Sequence, residues 1–299
     1  MPLTDYICPD KAVIPVKDCL SHCRMGERCL TLPTLALIAQ EREWSGVAST
    51  TQLLNGTMLE FLKLTKPYKI DPDSRMFMLS GTSYHKNLEE VAKKLGLPSE
   101  VPLSIDRDIF DLLDKEDDKI ILTDYKLWGS FKVAKALGIK EIGKKPDPSG
   151  ECYKSSGKWG KAGSPKMVAE FAQVPEEADN WEAELQLNRY RVMLKELTGI
   201  QVERMQLQVT VRDGGTYIAH GRGVLRNSFR IPVKFLDDTG VKDYFIFKDT
   251  RLKEALAKGE WSEPCNPTES WDGMRCKSFC DVWEYCSKGI LIHQINKEE

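Results

Sequence analysis

Eight of the nine cysteines in this chain form two groups that repeat one spacing. Cys8, Cys19, Cys23 and Cys29 are separated by gaps of ten, three and five residues, and so are Cys265, Cys276, Cys280 and Cys286; Cys152 stands alone. Four thiols within 22 residues can close around one ion or cluster. Repetition of all three gaps sets ligation above the bland alternative of buried free cysteines. Disulfide scaffolds belong to small secreted domains, whereas 299 residues can bury a core without staples, and Met1 to Cys8 lacks the basic and apolar regions of a signal peptide. The expectation is a metal-binding segment at 1–48, a core at 49–260 and a second metal-binding segment at 261–299. Zn2+ and [4Fe-4S] both remain open, because neither group shows the paired C-x-x-C knuckles common in zinc knots. A site drawing cysteines from both ends would also satisfy the ligand count, but the duplicated spacing favours two self-contained ones.

Such a chain is expected to be a soluble protein of the cytoplasm, in a bacterial, archaeal or phage-infected cell. Hydrophobic residues make up 41% and charged residues 29%, and no run approaches the length of a membrane span. The formal net charge is only -2, so nucleic-acid binding requires a local patch. One exists: residues 126–166 hold ten lysines against Glu141, Asp147 and Glu151, with Trp128, Phe131, Tyr153 and Trp159 interleaved. Lysines among aromatics suit a surface that follows a phosphate backbone and stacks bases. Lys132, Lys144, Lys145, Lys158 and Lys161 are the candidate DNA contacts, and a solvated lysine-rich loop is the bland alternative.

Between the cysteine groups the periodicities alternate. Leu53, Leu54, Met58, Phe61 and Leu62 recur at helical spacing after Ser49, Thr50 and Thr51. A second helix carries Leu88, Val91, Ala92 and Leu95 and stops at Gly96, with His85 on or beside its inward face. An inward histidine is either a satisfied core residue or a ligand. Leu103 to Phe110 then reads as a strand bearing Asp106 and Asp108 on one face, and Asp114 to Lys119 as a hairpin loop. Ile120 to Lys126 reads as the returning strand, which ends in Asp124, Tyr125 and Lys126. Alternation puts Asp124 and Lys126 on one side, as an exposed ion pair or as part of a site. A helix from about 179 to 197 places Gln186 and Tyr190 one turn apart. Strands at Met205 to Val211, Thr216 to Ala219 and Phe229 to Phe235 follow, with a turn at Asp213 to Gly215, and a short helix lies within Phe245 to Leu256.

In this order, the residues resemble the RecB-type branch of the PD-(D/E)xK nuclease superfamily: a helix histidine (His85), a strand aspartate (Asp106), D-x-K on the next strand (Asp124, Lys126), then Q-x-x-x-Y on a helix (Gln186, Tyr190). The resemblance covers about residues 81 to 220. It implies an α/β fold with a restriction-endonuclease-like core, in which a mixed central sheet is flanked by helices and a lysine-rich insertion occupies about 127–178. It further implies Mg2+ or Mn2+ held by His85, Asp106, Asp124 and the Tyr125 carbonyl, with Lys126, Gln186 and Tyr190 as catalytic residues. The substrate would be DNA, single-stranded or end-bearing duplex, and a helicase or recombination partner would be in keeping. Several members of this branch carry an iron–sulfur cluster on one early cysteine and a late triplet, whereas this chain has four early cysteines. The residue before the strand aspartate is commonly small there, and Asp108 competes with Asp106 for the ligand role. A non-catalytic nucleic-acid- or protein-binding module on a degenerate nuclease core is the alternative function.

Overall fold

The computed structural model describes residues 3–40, 44–104, 108–158 and 160–298. The chain divides into two compact units: Met1–Phe110 with Asn188–Gln201 and Leu236–Glu299, and Asp111–Leu187 with Val202–Phe235. Both cysteine-bearing ends belong to the first unit. No helix among the described residues is long and apolar enough to cross a membrane.

In the first unit, β1 (Leu3–Ile7) lies between β2 (Val13–Pro15), antiparallel, and β3 (Tyr68–Ile70), parallel. Tyr6, Leu35, Ile38 and Ile70 form a buried cluster here, and the Tyr6 hydroxyl finds its partner in the Leu35 carbonyl at 2.7 Å. The apolar periodicity after Ser49 is realised as two helices, Thr50–Leu54 and Thr57–Thr65, rather than one. Ser49 and Gln52 form a capping box on the first. The break falls at Gly56, where a Cβ would come within 2.3 Å of the Cys265 sulfur. A long helix, Asp238–Lys258, replaces the short one expected near Phe245. Asp237 starts it by accepting the Gly240 N–H at 2.8 Å, and Val241, Phe245, Leu252 and Ala255 form its buried face. On the Met76–Lys94 helix only Ala92 is buried, and Val91 and Leu95, expected to face inward, are 51% and 69% exposed.

The central sheet is mixed. It comprises β4 (Ser99–Pro102), β5 (Ile109–Glu116), β6 (Lys119–Trp128), β9 (Arg204–Val211) and β10 (Ser228–Val233), in the order β10-β9-β6-β5-β4. β5 begins in the first unit and continues into the second. β6 runs parallel to β9 and antiparallel to β5, so it is a central strand paired on both edges. Ile121, Leu122, Leu207 and Val209 are fully buried in it, in keeping with a strand covered on both faces. Within the second unit, the Ser130–Leu137 helix and the first half of the Trp181–Thr198 helix flank the sheet, burying Val133, Ala136, Ala183 and Leu187.

Three readings of the sequence are corrected. The hairpin loop is a two-residue turn at Asp117 and Asp118, both at positive φ, because Asp114, Lys115 and Glu116 pair in register with Ile121, Ile120 and Lys119. The preceding strand is therefore Ile109–Glu116; residues 105–107 of the strand expected from Leu103 to Phe110 lie outside the described residues. Thr216 to Ala219 is not a strand: the Thr216 hydroxyl accepts the Ala219 N–H at 3.2 Å and caps a short Tyr217–His220 helix. The lysine-rich stretch is not a loop throughout; it holds the Ser130–Leu137 helix and an antiparallel ribbon of β7 (Ile139–Pro146) and β8 (Met167–Gln173).

Candidate active site on the central sheet

Asp124 lies in the middle of β6, 2% exposed, opposite Leu207 of the parallel strand. Its Oδ2 meets the Lys126 Nζ at 2.7 Å, the i, i+2 placement that strand alternation predicts. Between them, the Tyr125 N–H donates to the Asp111 Oδ2 at 2.6 Å. Asp111, 8% exposed, belongs to the second unit's stretch of β5. Gln186, in the first half of the Trp181–Thr198 helix, accepts from the Lys126 Nζ at 3.1 Å. Two carboxylates, an ammonium and an amide thus meet within one unit.

The charge balance sets the state of Lys126. Burial works against its ammonium, but the carboxylates of Asp124 and Asp111, and more distantly Glu182, outweigh it and hold its pKa above the ordinary lysine range. Glu182 stands one turn before Gln186 on the same helix and also faces Lys132 at 3.7 Å. Asp111 and Glu182 were not singled out in the sequence. Asp111 leaves a trace there, a carboxylate inside the apolar run Ile109 to Leu113; Glu182 is marked only by its i, i+4 spacing to Gln186.

Asp106 lies outside the described residues, as does Trp159. His85, in the first unit, has its Nδ1 3.6 Å from the Glu100 carboxylate. Tyr190, one turn beyond Gln186, is buried. Asp108 is a structural anchor: it accepts the Thr50 N–H at 2.7 Å and hydroxyl at 2.5 Å and the Ser104 hydroxyl at 3.1 Å, and lies 3.5 Å from the Arg189 guanidinium. With so many partners at 1% exposure, it supplies packing order in the first unit. Asp108→Ala is expected to cost about 3 kcal/mol in urea unfolding, because Arg189 and Thr50 would lose a buried acceptor.

Among the candidate DNA contacts, Lys145 pairs with Glu170 at 3.3 Å and Lys132 with Glu182. Lys140 and Lys166 of the same stretch are neutralised by Glu177 and Glu151. Lys144, Lys158 and Lys161 are exposed on the ribbon and in the segment that joins its strands.

The two cysteine groups contain no disulfide. In each, neighbouring thiols add to burial in raising a cysteine: Cys29, Cys8 and Cys23 act on Cys19, Cys286 and Cys276 on Cys265, and Cys276 and Cys265 on Cys280. The second group is the deeper. Cys276 and Cys286 are buried, and burial, with Glu269 acting on the first, pushes the Cys265 and Cys280 thiols up to about 11. Among the described residues no three cysteine sulfurs lie within 4.8 Å of one another. Partly buried Asp281 ties this segment into the first unit through Lys63 at 2.9 Å and Arg75 at 2.6 Å. Burial raises the Asp281 pKa, but these two cations outweigh it and hold its carboxyl below the usual range.

No protein-family model matches this sequence, and no curated protein matches it.

Proposed function

We propose that this protein is a divalent-metal-dependent deoxyribonuclease that hydrolyses DNA phosphodiester bonds, acting as an exonuclease in recombination, replication or repair. The observation that carries this reading is the meeting of Asp111, Asp124, Lys126 and Gln186 on and over the central strand. Binding alone has no use for two buried carboxylates beside a surface meant for phosphates, whereas metal-assisted hydrolysis does.

The donor set suits a hard cation. Carboxylate oxygens of Asp111 and Asp124 and the main-chain carbonyl of Tyr125 would hold Mg2+ or Mn2+, which prefer oxygen ligands. A bound ion of this kind supplies Lewis-acid polarisation of the phosphate and a lowered pKa for its water. Lys126 brings a positive charge to where the scissile phosphate gains negative charge in the transition state. Gln186 holds the Lys126 ammonium through its amide oxygen and so fixes the direction of that charge. Glu182 adds a carboxylate that balances Lys126 and Lys132 when no phosphate is present.

End-labelled single-stranded and duplex DNA, incubated with Mg2+ or Mn2+, tests the reading. Metal-dependent shortening of the label is expected, and Asp111→Asn should slow it by about a hundredfold or more. Intact DNA with both metals would overturn the assignment, and an Asp111→Asn protein as active as the parent would remove Asp111 from the site.

The cysteine groups fit a thiolate-bound cofactor, and their role here is structural. A single zinc ion draws four thiolates close, at about 2.3 Å from the metal, while a [4Fe-4S] cluster places each on a separate iron and so spaces them wider. Both groups are open to Zn2+ or a cluster.

A further inference from the structure

β6 and β9 are parallel, so their carboxyl ends emerge together; Trp128 and Val211 are register partners, and the Arg212 N–H donates to the Trp128 carbonyl at 2.8 Å. In open α/β sheets ligands bind at this end of the strands. Here the loop from Arg212 to Asn227 and the start of the Ser130–Leu137 helix form one surface. Its charge is three arginines, Arg212, Arg222 and Arg226, against Asp213. Its exposed side chains are large and apolar: Tyr217 is 92% exposed, Leu225 71%, Ile218 60% and Phe131 57%.

This surface is built, and its loop is not free to collapse. Asp213 accepts the Ser130 N–H and hydroxyl, both at 2.6 Å, and Arg222 donates to the same hydroxyl at 2.8 Å. Gly214 of the Asp213 turn lies close under the Asn227 side chain, which a Cβ would meet at 2.5 Å, and Gly223 at positive φ is seated against Phe171 and Ile139. The Arg222 guanidinium stands 5.8 Å from the centre of the Phe131 ring, and Lys132 stands 5.4 Å from that of Trp128. Cations beside exposed rings are the arrangement that stacks bases and follows phosphates. On the ribbon Lys140, Lys145 and Lys166 are matched by carboxylates; on the loop Arg222 faces Asp213 at 3.7 Å, and three arginines outnumber that one aspartate.

We propose that the Arg212–Asn227 loop and the start of the Ser130–Leu137 helix hold single-stranded DNA, with bases stacked on Tyr217 and Phe131 and phosphates against Arg222 and Arg226. This rests on the deoxyribonuclease reading and gives the substrate a form and a path. Lys126 lies two residues before Trp128, about 7 Å along an extended strand, so a strand held here reaches the carboxylates within one or two nucleotides. Unpaired bases are required, because a duplex does not present the base faces on which Tyr217 would stack.

The test is fluorescence anisotropy of a labelled oligothymidylate in EDTA, where no cleavage interferes. Tyr217→Ala should weaken binding about tenfold, while Tyr217→Phe, which keeps the ring, should stay within twofold of the parent. Joint replacement Lys144→Ala and Lys161→Ala on the ribbon should cost less than Tyr217→Ala. Unchanged affinity in Tyr217→Ala, a blunt duplex bound as tightly as the single strand, or a larger loss from the ribbon pair would overturn the proposal. Tyr217 is almost wholly exposed, so folding of its variants is secure. Binding that depends on Tyr217 without any metal-dependent cleavage would leave this surface standing and remove the nuclease reading; cleavage without Tyr217-dependent binding would do the reverse.

Discussion

Lys126→Ala is expected to lower the rate of DNA cleavage by about a thousandfold or more, the scale of losing a preorganised charge at a transition state. The loss should appear in single-turnover cleavage at saturating DNA, because Lys126 acts on the charge that develops at phosphorus and little on ground-state binding. The same substitution has a second consequence. In the parent, the Lys126 ammonium compensates buried Asp124 at 2.7 Å, with Asp111 beside it. Without it, two carboxylates share a poorly solvated site, and the metal-free variant should be less stable by about 3 kcal/mol. Mg2+ or Mn2+ should restore most of that stability, since an ion that binds only the folded carboxylates stabilises by mass action. Lys126→Met, which keeps the stem and removes the charge, separates the loss of volume from the loss of charge. A Lys126→Ala protein that cleaves at the parent rate would end the catalytic assignment; one whose unfolding ignores divalent ions would end the assignment of the carboxylates as their ligands.

The second large effect concerns the carboxyl-terminal cysteines. Removing their cofactor by chelation, or replacing Cys276 and Cys280 by serine, should lower the unfolding midpoint by about 10 °C or more, because a structural site contributes folding free energy directly. The reason is local. Residues 265–298 comprise turns, two short helical pieces and one terminal helix, and of their large apolar side chains only Val282 is buried. What ties them down is a small set of polar bonds: Asp281 to Lys63 and Arg75, Lys288 to the Cys265 carbonyl at 2.9 Å, and Arg275 at Asn55. Elemental analysis of anaerobically purified protein decides the cofactor: about four irons with visible absorption mark a cluster, and zinc alone marks a mononuclear site. Protein containing neither metal, with an unfolding midpoint indifferent to chelators, would leave the cysteines as buried thiols.

Some of this was legible in the sequence and some was not, for reasons that can be named. The Asp124, Tyr125 and Lys126 strand was readable because an apolar run as long as Ile120 to Leu122 must be buried, so charges at its end stand out. The Trp181–Thr198 helix was readable from its stripe and from Gly199, which takes positive φ at 74° just beyond the last turn. The partner strand was misplaced because charge was taken as a sign of loop. All six residues from Asp114 to Lys119 are charged, yet four of the six are strand: Lys115 pairs with Asp118 at 2.8 Å, and Glu116 is held by Arg204 and Arg230. Those arginines are some ninety and more residues away, beyond any local reading of propensity. Moving the turn to Asp117 and Asp118 moves the strand with it, and Asp111 thereby becomes the carboxylate at the Tyr125 amide. A correct register would have required knowing that two consecutive aspartates accept left-handed backbone, a conformation that Asn and Asp tolerate better than most residues.

The parallel pairing of β6 with β9 has a bearing on how the protein is made. Thr123 and Gln206, hydrogen-bonded across that pair at 2.9 Å, are 83 residues apart in the chain. At about 5–20 residues per second, a ribosome needs several seconds to extend from one to the other. During that interval β6 has only its hairpin partner β5, and its outer edge presents unpaired N–H and C=O groups beside some of the most apolar residues of the sheet. An edge of that kind recruits other chains. The charges that crowd the β5–β6 turn and the aspartates and lysine along the hairpin then serve the nascent polypeptide, keeping a temporarily unfinished sheet in solution until β9 arrives.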